Sequence, residues 1–182
     1  MRLVILDRDG VINEDSDEYI KSPEEWQALP GATEAIARLS QEGYLVVIAS
    51  NQSGIGRGLF DMDMLNRIHN KMMDEVNHKG GHIDAVFFCP HTPADNCECR
   101  KPRPGLFHQI AARLKTNLSG TFAVGDSYRD VEAAQAASAR PVLVLTGKGS
   151  RTISDGRDLT GVPIFADLAA FTDALLSRRL VP

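Results

Sequence analysis

Two aspartates one residue apart, Asp7 and Asp9, follow directly on the apolar run Leu3-Val4-Ile5-Leu6. Side chains two apart on an extended segment point the same way, so both carboxylates can converge on one ligand while Arg8 points elsewhere. A second acidic segment, Val124-Gly125-Asp126-Ser127, ends another strand-like run, with Asp130 four residues beyond Asp126. Asp126 could reach the same ligand. Magnesium prefers hard oxygen ligands and keeps several waters, so two or three carboxylates plus a substrate phosphate would satisfy it. The chemistry this implies is phosphoryl transfer rather than zinc hydrolysis. Each acidic segment alone also fits a solvated turn, and the remaining segments decide between the two.

Ser50-Asn51-Gln52-Ser53-Gly54 ends a further apolar run and offers a hydroxyl and backbone N–H groups to a phosphate. Arg100-Lys101-Pro102 supplies cations that could stabilise charge on a transferring phosphoryl group. The three cysteines fall in one window, as Cys89-Pro90-His91 and Cys97-Glu98-Cys99. Three thiolates and one imidazole make the donor set of a closed tetrahedral structural zinc, with no position left open for catalysis. Reduced structural cysteines are the alternative. Zinc would stiffen a loop poor in apolar residues and so fix Arg100 and Lys101, which follow Cys99 directly.

These segments need a frame that brings strand ends together. Apolar runs at Leu3–Leu6, Leu45–Ala49, Ala85–Phe88, Thr121–Val124 and Pro141–Leu145 read as buried strands. Between them lie helical patterns: one opened by Pro30-Gly31 and ending near Gly43, one from about Asp61, one from Pro104, one near Val131–Ala139, and a last near Leu168–Leu176. Strand and helix in alternation predict a doubly wound α/β fold, a mainly parallel sheet with helices on both faces. In such sheets ligands bind beyond the carboxyl ends of the strands, where all four polar segments fall. With 182 residues, and no repeat or long linker, a single domain over 1–182 is expected, with at most a small cap. A net charge of −4 argues against a nucleic-acid surface. No apolar run spans a bilayer and no leader pattern opens the chain, so a cytoplasmic location with no membrane partner is expected.

Taken together, Asp7-Arg8-Asp9-Gly10, Ser50, Lys101, and Gly125-Asp126 with Asp130 resemble the four motifs of haloacid dehalogenase superfamily phosphatases. The resemblance implies that Asp7 is the nucleophile and Asp9 the general acid and then base. Ser50 and Lys101 would stabilise the phosphoryl group. Magnesium would be held by Asp7, the backbone carbonyl of Asp9, Asp126, and a carbonyl at Ser127. Adding Val11-Ile12-Asn13, Asn51-Gln52-Ser53-Gly54-Ile55 and the cysteine loop, the chain resembles the histidinol-phosphatase-like subfamily, and within it the branch acting on heptose 1,7-bisphosphate. That branch implies hydrolysis of the C7 phosphate on the route to nucleotide-activated heptose. It also implies a zinc held by Cys89, His91, Cys97 and Cys99. Arg100 would recognise the substrate, Asp15, Ser16, Asp17 and Glu18 would line the sugar site, and Ser50, Asn51, Gln52 and Ser53 would cradle the phosphate. A monomer acting on a small sugar phosphate is expected. Ser50 stands where threonine is frequent, which keeps the hydroxyl, and the segment between His91 and Cys97 is short.

Histidinol-phosphate phosphatase shares the acidic motifs and zinc loop and is the alternative activity. A non-enzymatic sugar-phosphate or nucleotide-binding module is suggested by Gly54-Ile55-Gly56-Arg57-Gly58, but this run lacks the G-x-x-x-x-G-K-[ST] pattern and follows the second strand. His69, His78, His82 and His108 lack partners at ligand spacing and read as packing or surface residues.

Overall fold

The computed structural model describes residues 1–180. Its centre is a six-stranded sheet, all parallel, in the order β3-β2-β1-β4-β5-β6. The strands are β1 (Arg2–Leu6), β2 (Tyr44–Asn51), β3 (Ala85–Cys89), β4 (Phe122–Gly125), β5 (Arg140–Val144) and β6 (Ile164–Phe165). Seven helices connect and follow them: α1 (Ala32–Gln41), α2 (Ser53–Gly56), α3 (Met62–His78), α4 (Gly105–Leu114), α5 (Tyr128–Ala136), α6 (Gly149–Ser154) and α7 (Leu168–Leu176).

The continuous apolar runs are explained by burial on both faces. Val4, Leu6, Val46, Ile48, Phe122 and Val124 join α1, α3 and α7 in one core layer, which includes Ile36, Ile68 and Phe171. Their neighbours Leu3, Ile5, Val47, Ala49 and Ala123 face the opposite way, onto Leu106, Phe107 and Ile110 of α4 and Ala133 and Ala134 of α5. This alternation gives each strand residue an apolar partner on its own side. The doubly wound class is therefore as the pattern predicts.

Helix starts follow local chemistry. Asp61 caps α3 by accepting a 2.8 Å bond from the Met64 N–H, and Asp167 caps α7 in the same way from Ala170. At α5 the cap belongs to the functional region. The Ser127 hydroxyl and N–H both donate to Asp130 Oδ2, at 2.6 and 3.0 Å, while the Ser127 carbonyl accepts from the N–H groups of Asp130 and Val131.

Three elements differ from the sequence expectation. The two-residue strand β6 and the short helices α2 and α6 have no readable period at their length. Among the described residues no cap domain covers the sheet. The long connections, residues 7–31 and 90–104, carry only one short 3₁₀ turn, Pro93–Asp95.

Candidate active site

The order of strands reverses at β1, which lies between β2 and β4, so a crevice must open beyond its carboxyl end. Register brings the predicted segments together there. Leu6 pairs with Ile48 on one side and Val124 on the other, and the Asp7 N–H donates to the Val124 carbonyl at 2.9 Å. The crevice is a cleft of about 200 Å³, walled by Asp7, Asp9, Lys101, Asp126 and Asp130, with arginines at its mouth.

Carboxylate oxygens of Asp7, Asp126 and Asp130 lie within 4.8 Å of one another. Asp130 is already engaged: its Oδ1 receives the Lys101 ammonium at 2.6 Å and its Oδ2 holds Ser127. Burial favours its protonated form, but the Lys101 charge prevails and holds its carboxyl below the usual range. Asp7 and Asp126 remain as the pair facing the cleft. Burial pushes Asp7 up to about 7; the Asp130 and Asp9 charges add to this while Lys101 opposes it. Burial, with Asp130 and Asp7 nearby, pushes Asp126 up to about 8. Two buried hard-oxygen groups that resist ionising side by side are a fitting donor set for magnesium, because a divalent cation would compensate both their burial and their mutual repulsion.

Lys101 is buried among oxygens. Its ammonium contacts Asp7 Oδ1 at 3.1 Å, Asp130 Oδ1 at 2.6 Å and the Ala49 carbonyl at 2.8 Å. Its backbone is latched by Asn51, whose amide donates to the Lys101 carbonyl and whose oxygen accepts from the Lys101 N–H, each at 3.0 Å. Asn51 was expected to hold phosphate. It borders the cleft, but its amide is used to fix Lys101.

Arg8 does point away from the cleft, as alternation requires, but only to turn back on its neighbour. Its guanidinium is fully buried and forked on Asp9, with Nε to Oδ1 at 2.9 Å and NH2 to Oδ2 at 3.1 Å. Asn13 and Gln52 add bonds of 2.9 and 3.0 Å to the same carboxylate. Burial alone would raise Asp9; the Arg8 charge and these donors outweigh it and hold the carboxyl below its ordinary value. His69, expected to lack a partner, lies with Nε2 3.4 Å from Arg8 NH1. Burial and the Arg8 charge lower its pKa to about 4, so it is neutral. No motif marks it, because the contact joins residues 61 apart in sequence.

The other predicted residues separate into two groups. Asp15, Ser16, Asp17, Gln52, Ser53 and Arg100 all border the cleft. Ser50 sits just behind it, 1% exposed, its hydroxyl accepting from Gln52 Nε2 at 2.8 Å. Glu18 does not reach the cleft: its side chain is exposed, and its carbonyl receives Lys21 instead. Ser127 caps α5, its carbonyl accepting from the N–H groups of Asp130 and Val131, and it is not among the residues that wall the cleft. Arg57, Arg129 and Lys148 border the cleft and were not foreseen. A basic residue just beyond a strand's carboxyl end is the signal that could have found Lys148.

The cysteine loop closes on itself. Cys99 Sγ lies 3.0 Å from Cys89 Sγ, 3.6 Å from Cys97 Sγ and 3.3 Å from His91 Nδ1, while Cys89 and Cys97 are 3.6 Å apart. Zinc–sulfur bonds of about 2.3 Å in a tetrahedron imply sulfur separations of about 3.8 Å. The two 3.6 Å sulfur pairs are near that value while Cys89 and Cys99 sit closer together, and all four donors lie within 4.8 Å of one another, a cluster that could hold a metal ion. Arg103 fastens the loop from outside, donating to the carbonyls of Asn96 and Cys97 and to Glu98 Oε1.

Comparison with known proteins agrees with this geometry. The HAD-hydrolase-like family model matches residues 98–171. The D-glycero-beta-D-manno-heptose-1,7-bisphosphate 7-phosphatase of Bordetella bronchiseptica is 53% identical over 98% of this chain and 99% of its own. That of Pseudomonas aeruginosa is 52% identical over 96% and 97%. Among solved structures, the B. bronchiseptica D,D-heptose 1,7-bisphosphate phosphatase complexed with magnesium and phosphate superposes with a TM-score of 0.96, covering 98% of this chain and 99% of that one, at 52% identity. The Burkholderia thailandensis D,D-heptose 1,7-bisphosphate phosphatase gives 0.78 at 47% identity, covering 97% and 99%. At such identity over nearly its full length, the chain belongs to the haloacid dehalogenase-like family of D-glycero-D-manno-heptose-1,7-bisphosphate 7-phosphatases.

Proposed function

We propose that this protein is a magnesium-dependent phosphomonoesterase that removes the C7 phosphate from D-glycero-D-manno-heptose 1,7-bisphosphate by way of an aspartyl phosphate on Asp7. One observation carries the mechanism: Asp7 stands at the switch point of the sheet with Lys101 at 3.1 Å and Asp126 facing it. The substrate is supported by 53% identity to a relative of that name.

Asp7, Asp126 and the backbone carbonyl of Asp9 would hold magnesium, which when bound offsets the repulsion between the Asp7 carboxylate and an incoming phosphate. Asp7 attacks phosphorus, forming an O–P bond as the sugar oxygen departs. Lys101 gives the transferring group a fixed positive charge, with the Ser50 hydroxyl behind it. Asp9 protonates the leaving alkoxide and then takes a proton from the water that hydrolyses the aspartyl phosphate. Its low proton affinity without substrate suits the second role, and an adjacent phosphate dianion would raise it for the first. No lid domain covers the cleft among the described residues, so Asp15, Ser16, Asp17 and Arg100 are left to select the sugar. Zinc on Cys89, His91, Cys97 and Cys99 would act indirectly, by fixing the chain that enters Arg100 and Lys101.

No helix is long and apolar enough to cross a membrane among the described residues, and we infer a single-domain monomer acting on a small sugar phosphate in the cytoplasm. Phosphorus NMR of the product tests the site of hydrolysis. A heptose keeping its C1 phosphate and releasing the C7 group is expected, and loss of the C1 phosphate would refute the reading.

A further inference from the structure

The turn after β5, Thr146-Gly147-Lys148, belongs to none of the motifs that define the site, yet it is wedged against two of them. The Thr146 hydroxyl donates to the Gly10 carbonyl at 2.6 Å. Gly147 has φ +56, and a Cβ there would lie 2.2 Å from Asp126 Oδ2 and 2.5 Å from the Gly10 Cα. The Lys148 N–H donates to Asp126 Oδ2 at 2.8 Å, and the Thr152 hydroxyl to the Asp126 carbonyl at 3.1 Å. This backbone is the far wall behind Asp126.

Lys148 also reaches across the mouth of the cleft. Its ammonium pairs with Asp15 Oδ2 at 2.8 Å and lies 4.0 Å from Asp17 Oδ1. Asp15 and Asp17 belong to the irregular segment after β1, residues 14–20, which contributes Asp15, Ser16, Asp17, Tyr19 and Ile20 to the cleft wall. That segment has few internal bonds, among them Glu18 N–H to the Ser16 hydroxyl and Tyr19 N–H to the Ser16 carbonyl, each at 3.1 Å. Asp15 is only 17% exposed at its side chain and Lys148 33%, so the pair is better shielded than an ordinary surface ion pair. One residue thus holds Asp126 by its main chain and the substrate-facing segment by its side chain.

We propose that Lys148 is a positioning residue for substrate selection, fixing the segment 14–20 over the cleft through Asp15 while its backbone holds Asp126. In a protein without a lid domain, this tie does the work of presenting the selecting groups at a set distance from the reacting phosphate. The kinetic part of the idea rests on the sugar-phosphate reading above. The structural part does not.

The test compares Lys148→Met, Lys148→Arg, Asp15→Asn and the double variant Asp15→Asn/Lys148→Met. Hydrogen exchange at the Glu18 and Tyr19 amides should quicken about tenfold in Lys148→Met and Asp15→Asn. The double variant should be no faster than either single one, because both remove the same contact. Lys148→Arg should exchange close to wild type. For heptose 1,7-bisphosphate, kcat/KM of Lys148→Met should fall about tenfold further than for p-nitrophenyl phosphate, which offers no sugar to position. Unchanged exchange, additive effects in the double variant, or equal losses on both substrates would overturn the proposal. A wild-type protein inactive on the bisphosphate would refute the substrate reading instead, with the exchange data still deciding the role of Lys148.

Discussion

Asp7 and Asp126 sit on adjacent strand ends, and their proton affinities follow from burial beside one another. Their folded values, about 7 and about 8, lie above the ordinary 3.8, so the folded protein binds more protons than the unfolded chain across that interval. The stability these groups contribute is complete below about pH 4 and is lost as pH rises through 7 and 8. Magnesium-free protein with its cysteine loop loaded with zinc should therefore lose melting temperature as pH rises to about 8, with little further loss from these two groups above it. Added magnesium should raise Tm more at the alkaline end, where it no longer competes with protons, and Asp126→Asn should flatten both trends. Parallel melting curves across that range would contradict the assignment. Asp7→Asn removes the proposed nucleophile and the like-charge repulsion together. It should fold at least as stably as wild type while turnover drops by about 10³-fold or more. Retained turnover would take the nucleophile role from Asp7.

At the scale of elements, the cysteine loop, for which we propose a zinc ion, and the turn after β5 position chemistry that they do not perform. Cys99→Ser should release zinc and lower Tm by roughly 6–12 °C, the shift expected in a chain of this size for a loss of about 3 kcal/mol. Activity should fall with it, because Lys101 is two residues away; unaltered metal content would argue for reduced structural cysteines. Gly147→Ala places a methyl group 2.2 Å from Asp126 Oδ2 at a positive φ. We expect its magnesium requirement for half-maximal activity to rise about tenfold or more, as read by a metal titration. The zinc loop was legible in the sequence because its ligands lie within eleven consecutive residues, Cys89 to Cys99. The turn was not, because Lys148 meets Asp126 and Asp15 only once β1, β4 and β5 are in register. The same reason hid His69 behind Arg8.

At the scale of the molecule, the parallel sheet was readable because strands covered on both faces are written as unbroken apolar runs, as in Leu3–Leu6 and Leu45–Ala49. β6 escaped notice since two residues carry no period. The reversal of strand order at β1 explains why residues as far apart in sequence as Asp7 and Lys148 wall one cleft. The fold thus accounts for the mechanism more closely than for the substrate, which depends on the few groups at the mouth. The most direct test of the central claim is phosphate release, with and without magnesium, from the α and β anomers of heptose 1,7-bisphosphate and from histidinol phosphate, compared by kcat/KM. We predict magnesium-dependent turnover that favours one bisphosphate anomer over histidinol phosphate by about 10²-fold or more. Equal or better turnover of histidinol phosphate would contradict it.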